Sequence, residues 1–227
     1  MTIRPVARVK NDFATKFGLP RQGILADRLV SYVVMEKEFA CADFLRGLDG
    51  FSHLWLLWGF DERSEKATVR PPKLGGNERR GVFATRSPFR PNPLGLSAVR
   101  LESIRADESG AVITVSGADM KNGTLVYDIK PYLPYADAIE GAKGGFAEEH
   151  VSDRLRVVFP EDMKKHLPEE KLPALLQALA LDPRPSYQRD DARVYGFFYA
   201  GKDVRFRVEG DTLRVTEIAE VQIGNQD

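Results

Sequence analysis

Up to about residue 146 the chain alternates short apolar, β-branched and aromatic stretches with polar loops. Ile3 to Val9, Leu29 to Met35, Phe51 to Phe60, Gly81 to Ala84, Ala98 to Ile104, Ala111 to Ala118 and Thr124 to Ile129 all predict strands. Val112 to Ser116, preceded by Glu108, Ser109 and Gly110, reads as the return arm of a hairpin. In Phe51 to Phe60 the set Phe51, His53, Trp55 and Leu57 alternates with Leu54, Leu56 and Trp58, the pattern of a core strand. His53 reads there first as a hydrogen-bonded core histidine. One helical turn is predicted near Ala42 to Leu48, where Cys41, Phe44, Leu45 and Leu48 share a face. Strands this close together, with little helical periodicity between them, predict a barrel or sandwich rather than a parallel βαβ sheet.

Ala142, Lys143, Gly144, Gly145 and Phe146 mark a boundary. Beyond it, Pro160 to Leu181 carries Leu172, Leu175, Leu176 and Leu179 at helical spacing, and Asp182-Pro-Arg-Pro185 ends it. Val194 to Ala200 and Val204 to Val208 predict a hairpin turning at Gly201 to Asp203, with Thr212 to Val221 as a third strand. The expected architecture is therefore mainly β: a small β-barrel over residues 1–147, then a small α+β domain over 148–227.

Composition narrows the chemistry. Lys+Arg and Asp+Glu are both 33, so net charge identifies no partner. Local charge does more: Arg70, Lys73, Arg79, Arg80, Arg86, Arg90 and Arg100 face a single acid, Glu78, in the span from 70 to 100. That surplus marks an anion or nucleic-acid surface, unless acids from elsewhere fold against it. Cys41 is the one cysteine and the three histidines show no ligand spacing, so neither a disulfide nor a structural metal is expected. The longest apolar run, Leu54 to Phe60, is too short to cross a bilayer, and the N-terminus lacks a signal-peptide core. A soluble cytoplasmic protein is expected. No dinucleotide glycine fingerprint, phosphate-binding loop, nucleophile elbow or H-E-x-x-H motif occurs.

Four segments carry candidate chemistry. After Gly81 to Ala84, Pro88, Pro91 and Pro93 stiffen a loop that presents Arg86, Ser87, Arg90 and Asn92. Prolines at such spacing remove freedom before a ligand arrives. Asn122-Gly123 reads as a tight turn, and along the strand after it Asp128, Lys130 and Tyr132 form a polar row opposite Tyr127, Ile129 and Pro131. Phe17 to Gly23 is a glycine- and proline-bounded loop with Arg21 and Gln22 as donors. Phe51 to Phe60 ends at Asp61 and Glu62, at the rim of the sheet.

Together these segments resemble the TrmO family, of TsaA-like fold. The resemblance is carried by Phe51-Ser-His-Leu-Trp55, Arg70-Pro-Pro72 with Leu74-Gly-Gly-Asn77, the run from Gly81 to Gly95, and Asp128-Ile-Lys-Pro-Tyr-Leu-Pro134, with Asp182-Pro-Arg-Pro185 and Tyr187 near the C-terminus. It implies an S-adenosylmethionine-dependent transfer RNA methyltransferase, a homodimer with the cofactor near the subunit interface. The implied acceptor is N6 of threonylcarbamoyl-adenosine beside the anticodon of threonine tRNA. Carried over as cofactor contacts are Gln22, Gly23, Asp61, Arg86, Leu96, Asn122, Gly123 and Thr124. Arg90, Asn92, Asp128, Lys130 and Tyr132 become pocket residues, and Arg184, Tyr187 and Arg189 suit phosphate and stacking contacts. The chain departs from the family pattern at Gln188, where arginine is common, and at Asn122, where aspartate is common. Asp128 is expected as proton acceptor, with His53 second and Tyr132 or Tyr135 offering an aromatic face to the sulfonium. A methyltransferase acting on another RNA or a small amine, and a non-catalytic cofactor- or RNA-binding module, are the competing readings.

Overall fold

The structure is a computed structural model that describes residues 2–20, 23–61, 63–71, 78–150, 154–184 and 190–220. Six strands close into a barrel: β1 (Ala7–Lys10), β2 (Val30–Met35), β3 (His53–Gly59), β6 (Leu94–Asp107), β7 (Gly110–Ser116) and β8 (Leu125–Pro131), in the order β1-β2-β7-β6-β3-β8. Every neighbouring pair is antiparallel. Alternate residues turn inward, and Val9, Val33, Leu54, Leu56, Val99, Ile113, Val115 and Val126 lose all contact with solvent. Between β3 and β6, β4 (Thr68–Val69) pairs with β5 (Arg80–Gly81). Short helices α1 (Ala42–Leu45) and α2 (Pro134–Asp137) flank the barrel.

The second part is a sheet in the order β10-β11-β12-β9, from β9 (Arg156–Val158), β10 (Tyr195–Tyr199), β11 (Lys202–Glu209) and β12 (Thr212–Glu220). The three antiparallel strands follow the alternation of the sequence. β9 is three residues long and runs parallel to β12, so no local pattern announced it. One face of this sheet packs on α4 (Leu172–Ala180), which buries Ala174, Leu175, Ala178 and Leu179.

Several expectations are corrected. Val82 to Ala84 form a 3-10 turn rather than a buried strand, and Phe83 stands 84% exposed. The strand stops at Gly81 because β4 offers only two partners, and Thr85 Oγ then donates to the Val82 carbonyl at 2.9 Å. The helix expected from 160 to 181 is broken into α3 (Glu161–Lys164) and α4. Pro168 disfavours helical geometry at Leu167, and Pro173 is acceptable only in the first turn of a new helix. Near Cys41, only Leu45 of the expected apolar face is buried, while Phe44 is 63% exposed. Tyr127 and Ile129 do not share a face: a bulge opposite Leu57 and Trp58 shifts the register, so Val126 and Ile129 both join the barrel core.

The two cores are tied by the segment between β1 and β2. Phe13, Ala26 and Leu29 belong to the core of the second sheet, not to the barrel. The Phe13 ring packs 4.9 Å from Tyr199 and 6.3 Å from Phe197. Polar contacts reinforce the crossing. Ala200 N–H donates to the Asp12 carbonyl, Lys171 Nζ lies 2.6 Å from the Asp12 carboxylate, and Gln177 bonds both the Asp27 side chain and the Arg28 N–H. Phe13→Ala should destabilise the chain by about 3–5 kcal/mol, the range for emptying a buried aromatic site. Urea unfolding checks this; a loss below about 1 kcal/mol would show that the crossing does not hold the two cores together.

Candidate active site

The barrel opens along β6. β7 pairs with β6 only from Arg100 onward, so Leu94 to Val99 are bonded to β3 alone. After Ser116 the chain turns at Gly117, whose φ is +77°, and runs through buried Ala118 to Asp119. The 3-10 turn at Gly23–Leu25 fills the gap beside the free edge of β6. Gly23 approaches so closely that a Cβ there would lie 1.9 Å from the Gly117 carbonyl oxygen.

This opening holds a cavity of 530 Å³ lined by Gly23, His53, Trp55, Arg86, Leu96, Ser97, Ala98, Asp119 and Tyr132. That volume suits a ligand of cofactor size. The aromatic wall comes from the outer face of β3 and the residue after β8. The Tyr132 ring lies 5.5 Å from Trp55 and 6.2 Å from His53. Trp55 Nε1–H donates to Asp137 Oδ2 at 2.9 Å, and Leu133 N–H fixes the same oxygen at 2.8 Å. His53 is therefore half-exposed on the cavity face, with Nδ1 2.9 Å from Ser52 Oγ, and is not a core histidine.

The polar wall is a hydrogen-bonded chain. Trp58 Nε1–H donates to Ser97 Oγ at 2.9 Å, and Ser97 O–H donates to Asp119 Oδ1 at 2.5 Å. Burial pushes the Asp119 carboxyl above its ordinary value, while the Ser97 hydroxyl, the Gly23 N–H and the Arg86 guanidinium charge pull it back. A partly buried carboxylate, a guanidinium and three rings thus face one space, a combination suited to a ligand carrying both charges and a flat heterocycle.

Of the residues singled out in the sequence, His53, Tyr132, Gly23, Arg86 and Leu96 meet at this cavity. Asn122, Gly123 and Thr124 instead join β1 to the barrel: Asn122 N–H donates to the Phe13 carbonyl, Gly123 N–H to Val9, and Thr124 is buried. Asp61 pairs with Lys121 at 2.6 Å. Asp128 lies 2.9 Å from Lys130 Nζ on the outer face of β8. Arg90 clamps its own loop, donating to the carbonyls of Val82 and Thr85 at 3.1 and 2.7 Å, and Asn92 is exposed. Arg184 is 8% exposed and engages both Asp182 oxygens, at 2.9 and 3.0 Å. Gln22, Tyr187 and Arg189 lie outside the described residues. Sequence reasoning missed Ser97 and Asp119, whose contact spans 22 positions without a local motif. Trp55 could have been found, since an aromatic and a histidine at alternate positions of one strand face share a surface.

Among the described residues no cluster of three or more His, Cys, Asp or Glu could hold a metal, and no helix is long and apolar enough to cross a membrane. Residues 8–138 match the model of the tRNA-methyltransferase O N-terminal domain, and residues 152–221 that of the TrmO C-terminal domain. The tRNA (adenine(37)-N6)-methyltransferase of Escherichia coli K12 is 37% identical over 211 residues, which cover 88% of this chain and 90% of that protein. A Pseudomonas aeruginosa relative, whose name places it among S-adenosylmethionine-dependent methyltransferases, is 37% identical over 96% of this chain and 97% of its own. A crystal structure of TrmO from Pseudomonas aeruginosa superposes with a TM-score of 0.82 at 33% identity, covering 96% of this chain and 97% of that one.

The Asp119 environment makes a pH prediction. A carboxyl whose value is raised in the folded state adds stability below the unfolded value of 3.8, and that contribution is lost as pH rises through the higher folded value. Asp119→Asn should therefore melt at or above the parent at pH 7, with the difference shrinking as pH falls toward 3.8. A variant that melts well below the parent at pH 7 would mean the carboxylate is held by more than it loses on burial.

Proposed function

This chain belongs to the TrmO family of tRNA methyltransferases, and we propose that it methylates N6 of adenine 37 in a tRNA with S-adenosylmethionine as donor. The finer substrate we propose is threonylcarbamoyl-adenosine in threonine tRNA, and the setting is the cytoplasm. One observation carries the reading: the cavity beside β6 gathers Arg86, Asp119 and the rings of His53, Trp55 and Tyr132 around one space. That donor set fits the proposed cofactor, which has a carboxylate, an ammonium, a sulfonium and an adenine. Bound there, it would supply an electrophilic methyl group on a positively charged sulfur.

The chain's own residues then have separable tasks. Arg86 offers a planar fork for a carboxylate, and Asp119 offers a desolvated anion for an ammonium group. Tyr132 and Trp55 present ring faces to a cation or a heterocycle, with Asp137 holding the indole in place. When the nitrogen–carbon bond forms and the sulfur–carbon bond breaks, the N6 proton must leave. His53 receives it in our reading, because it reaches the cavity and Ser52 orients its ring, whereas Asp128 lies outside the cavity beside Lys130. The base sits in an anticodon loop, so it can be splayed out without opening a duplex.

We further propose a homodimer. Phe83, Phe89, Leu96, Tyr135 and Ile139 are large, apolar and exposed, and Leu96 lines the cavity. The barrel, residues 1–147, would carry the chemistry and residues 148–227 would hold the tRNA. Asp61, Asn122 to Thr124, Arg90, Asn92 and Lys130 would then support the elements around the site rather than line it.

Arg86→Ala should lose about 1.5–3 kcal/mol of cofactor affinity, roughly tenfold to a hundredfold in calorimetry, because a charge-assisted hydrogen bond is removed. Unchanged affinity would take Arg86 out of the site. For the reaction itself, nucleosides from threonine tRNA incubated with protein and S-adenosylmethionine should gain one methyl by mass spectrometry, and only after prior threonylcarbamoylation. A gain on unmodified adenosine, or none with cofactor bound, would overturn the proposed substrate.

A further inference from the structure

The outer face of the second sheet carries a charge arrangement that folding alone disfavours. The β11–β12 register places Arg207 directly opposite Arg214, and both are exposed. Like charges directly across an antiparallel pair repel. Neither arginine has an acidic partner within ion-pair distance among the described residues, and Glu209, diagonal to Arg214, joins neither. Arg156 extends the row on β9, where it pairs with Thr212 beside Arg214.

The neighbouring cations behave differently. Arg205 lies 2.9 Å from both Asp203 and Glu217, and Lys202 pairs with Glu220. The same strands thus neutralise two of their basic residues and leave a like-charge pair beside them. The backbone beneath is rigid, since Phe206, Val208, Leu213 and Val215 on the opposite face are buried in the core. Exposed guanidinium groups on a fixed backbone, with no acid against them among the described residues, are available to an external anion, and their forks match phosphate oxygens.

We propose that Arg207 and Arg214, with Arg156 at the β9 edge, form a platform for the sugar–phosphate backbone of the tRNA. This rests on the reading of the chain as a tRNA methyltransferase. The platform carries no base readout: phosphate contacts fix register and orientation, and the chemistry remains at the barrel cavity. Repulsion between the paired arginines is relieved when the phosphates arrive.

Arg207→Glu tests this, because it places opposite charges across the pair. Binding of full-length threonine tRNA to the whole chain is measured by fluorescence anisotropy at several KCl concentrations, beside calorimetric affinity for S-adenosylmethionine and thermal melting. The expected result is a tRNA affinity lower by about tenfold or more and a salt slope shallower by about 1 to 2. Cofactor affinity should not change, and melting should be equal to or above that of the parent. Arg207→Gln should show the same direction with a slope change of about 1. Arg46→Glu, on the barrel surface, should change tRNA affinity less than about twofold.

Unchanged affinity and slope in both Arg207 variants would overturn the platform, as would an equal loss in Arg46→Glu. A change in sedimentation with unchanged RNA binding would assign the face to contact between protein copies instead. A parent chain that binds no tRNA would overturn platform and proposed function together. Arg207-dependent binding without methyl transfer would remove the function and leave the platform standing.

Discussion

The close approach of Gly23 to the Gly117–Asp119 turn is the contact on which the rest of the molecule depends. A side chain at position 23 would occupy the space of the Gly117 carbonyl, so only glycine lets the 3-10 turn seal the edge where β6 leaves β7. Three residues further on, Ala26 enters the core of the second sheet; Leu29 follows it there, and Phe13, earlier in the same segment, lies in that core as well. One segment therefore forms a wall of the cavity and part of a core that belongs to another sheet. Packing interiors are dense and transmit displacement, so the cavity inherits its shape from both halves of the chain.

Electrostatics is arranged in two layers. Inside the cavity, Asp119 is held against its desolvation by a hydroxyl, a backbone donor and a guanidinium charge. That carboxylate is a stronger attractant for a cation than any exposed acid, because few water dipoles compete with it. On the outer face of the second sheet the sign reverses, and Arg207 and Arg214 stand without an acidic partner among the described residues. A chain with equal numbers of acidic and basic residues thus separates its charges by location, with an anion for a small cationic group and cations for a polyanion.

Much of the barrel was legible because a strand whose one face is buried must alternate. Leu54, Leu56 and Trp58 against His53, Trp55 and Leu57 gave β3 directly, and the β10–β11 hairpin followed from the same period. Alternation does not say what covers the second face. His53 and Trp55 therefore read as core residues, although the cavity is what they border. The Gly81 to Ala84 strand failed for a related reason: three apolar residues look buried, but a strand needs a partner, and β4 ends after two residues. Pro168 was visible in the sequence, yet the spacing of the leucines around α4 masked the break.

What the sequence by itself determined is the set of local conformations and the identity of the long motif. Prolines set the loop from 85 to 93, glycines set the turns, and the period of apolar residues set the strands. Those properties depend on dihedral limits and on burial of one face, and both act over a few positions. Tertiary structure alone decided which chemistry shares a space. Ser97 meets Asp119, Gly23 meets Gly117, and Arg207 meets Arg214 through strand register and a chain crossing between two cores. It also withdrew Arg90 and Arg184 into internal contacts, because a guanidinium near unsatisfied carbonyls or a carboxylate is held there by its hydrogen bonds. Such pairings are set by the energy of the whole packed chain, which no short window of residues contains.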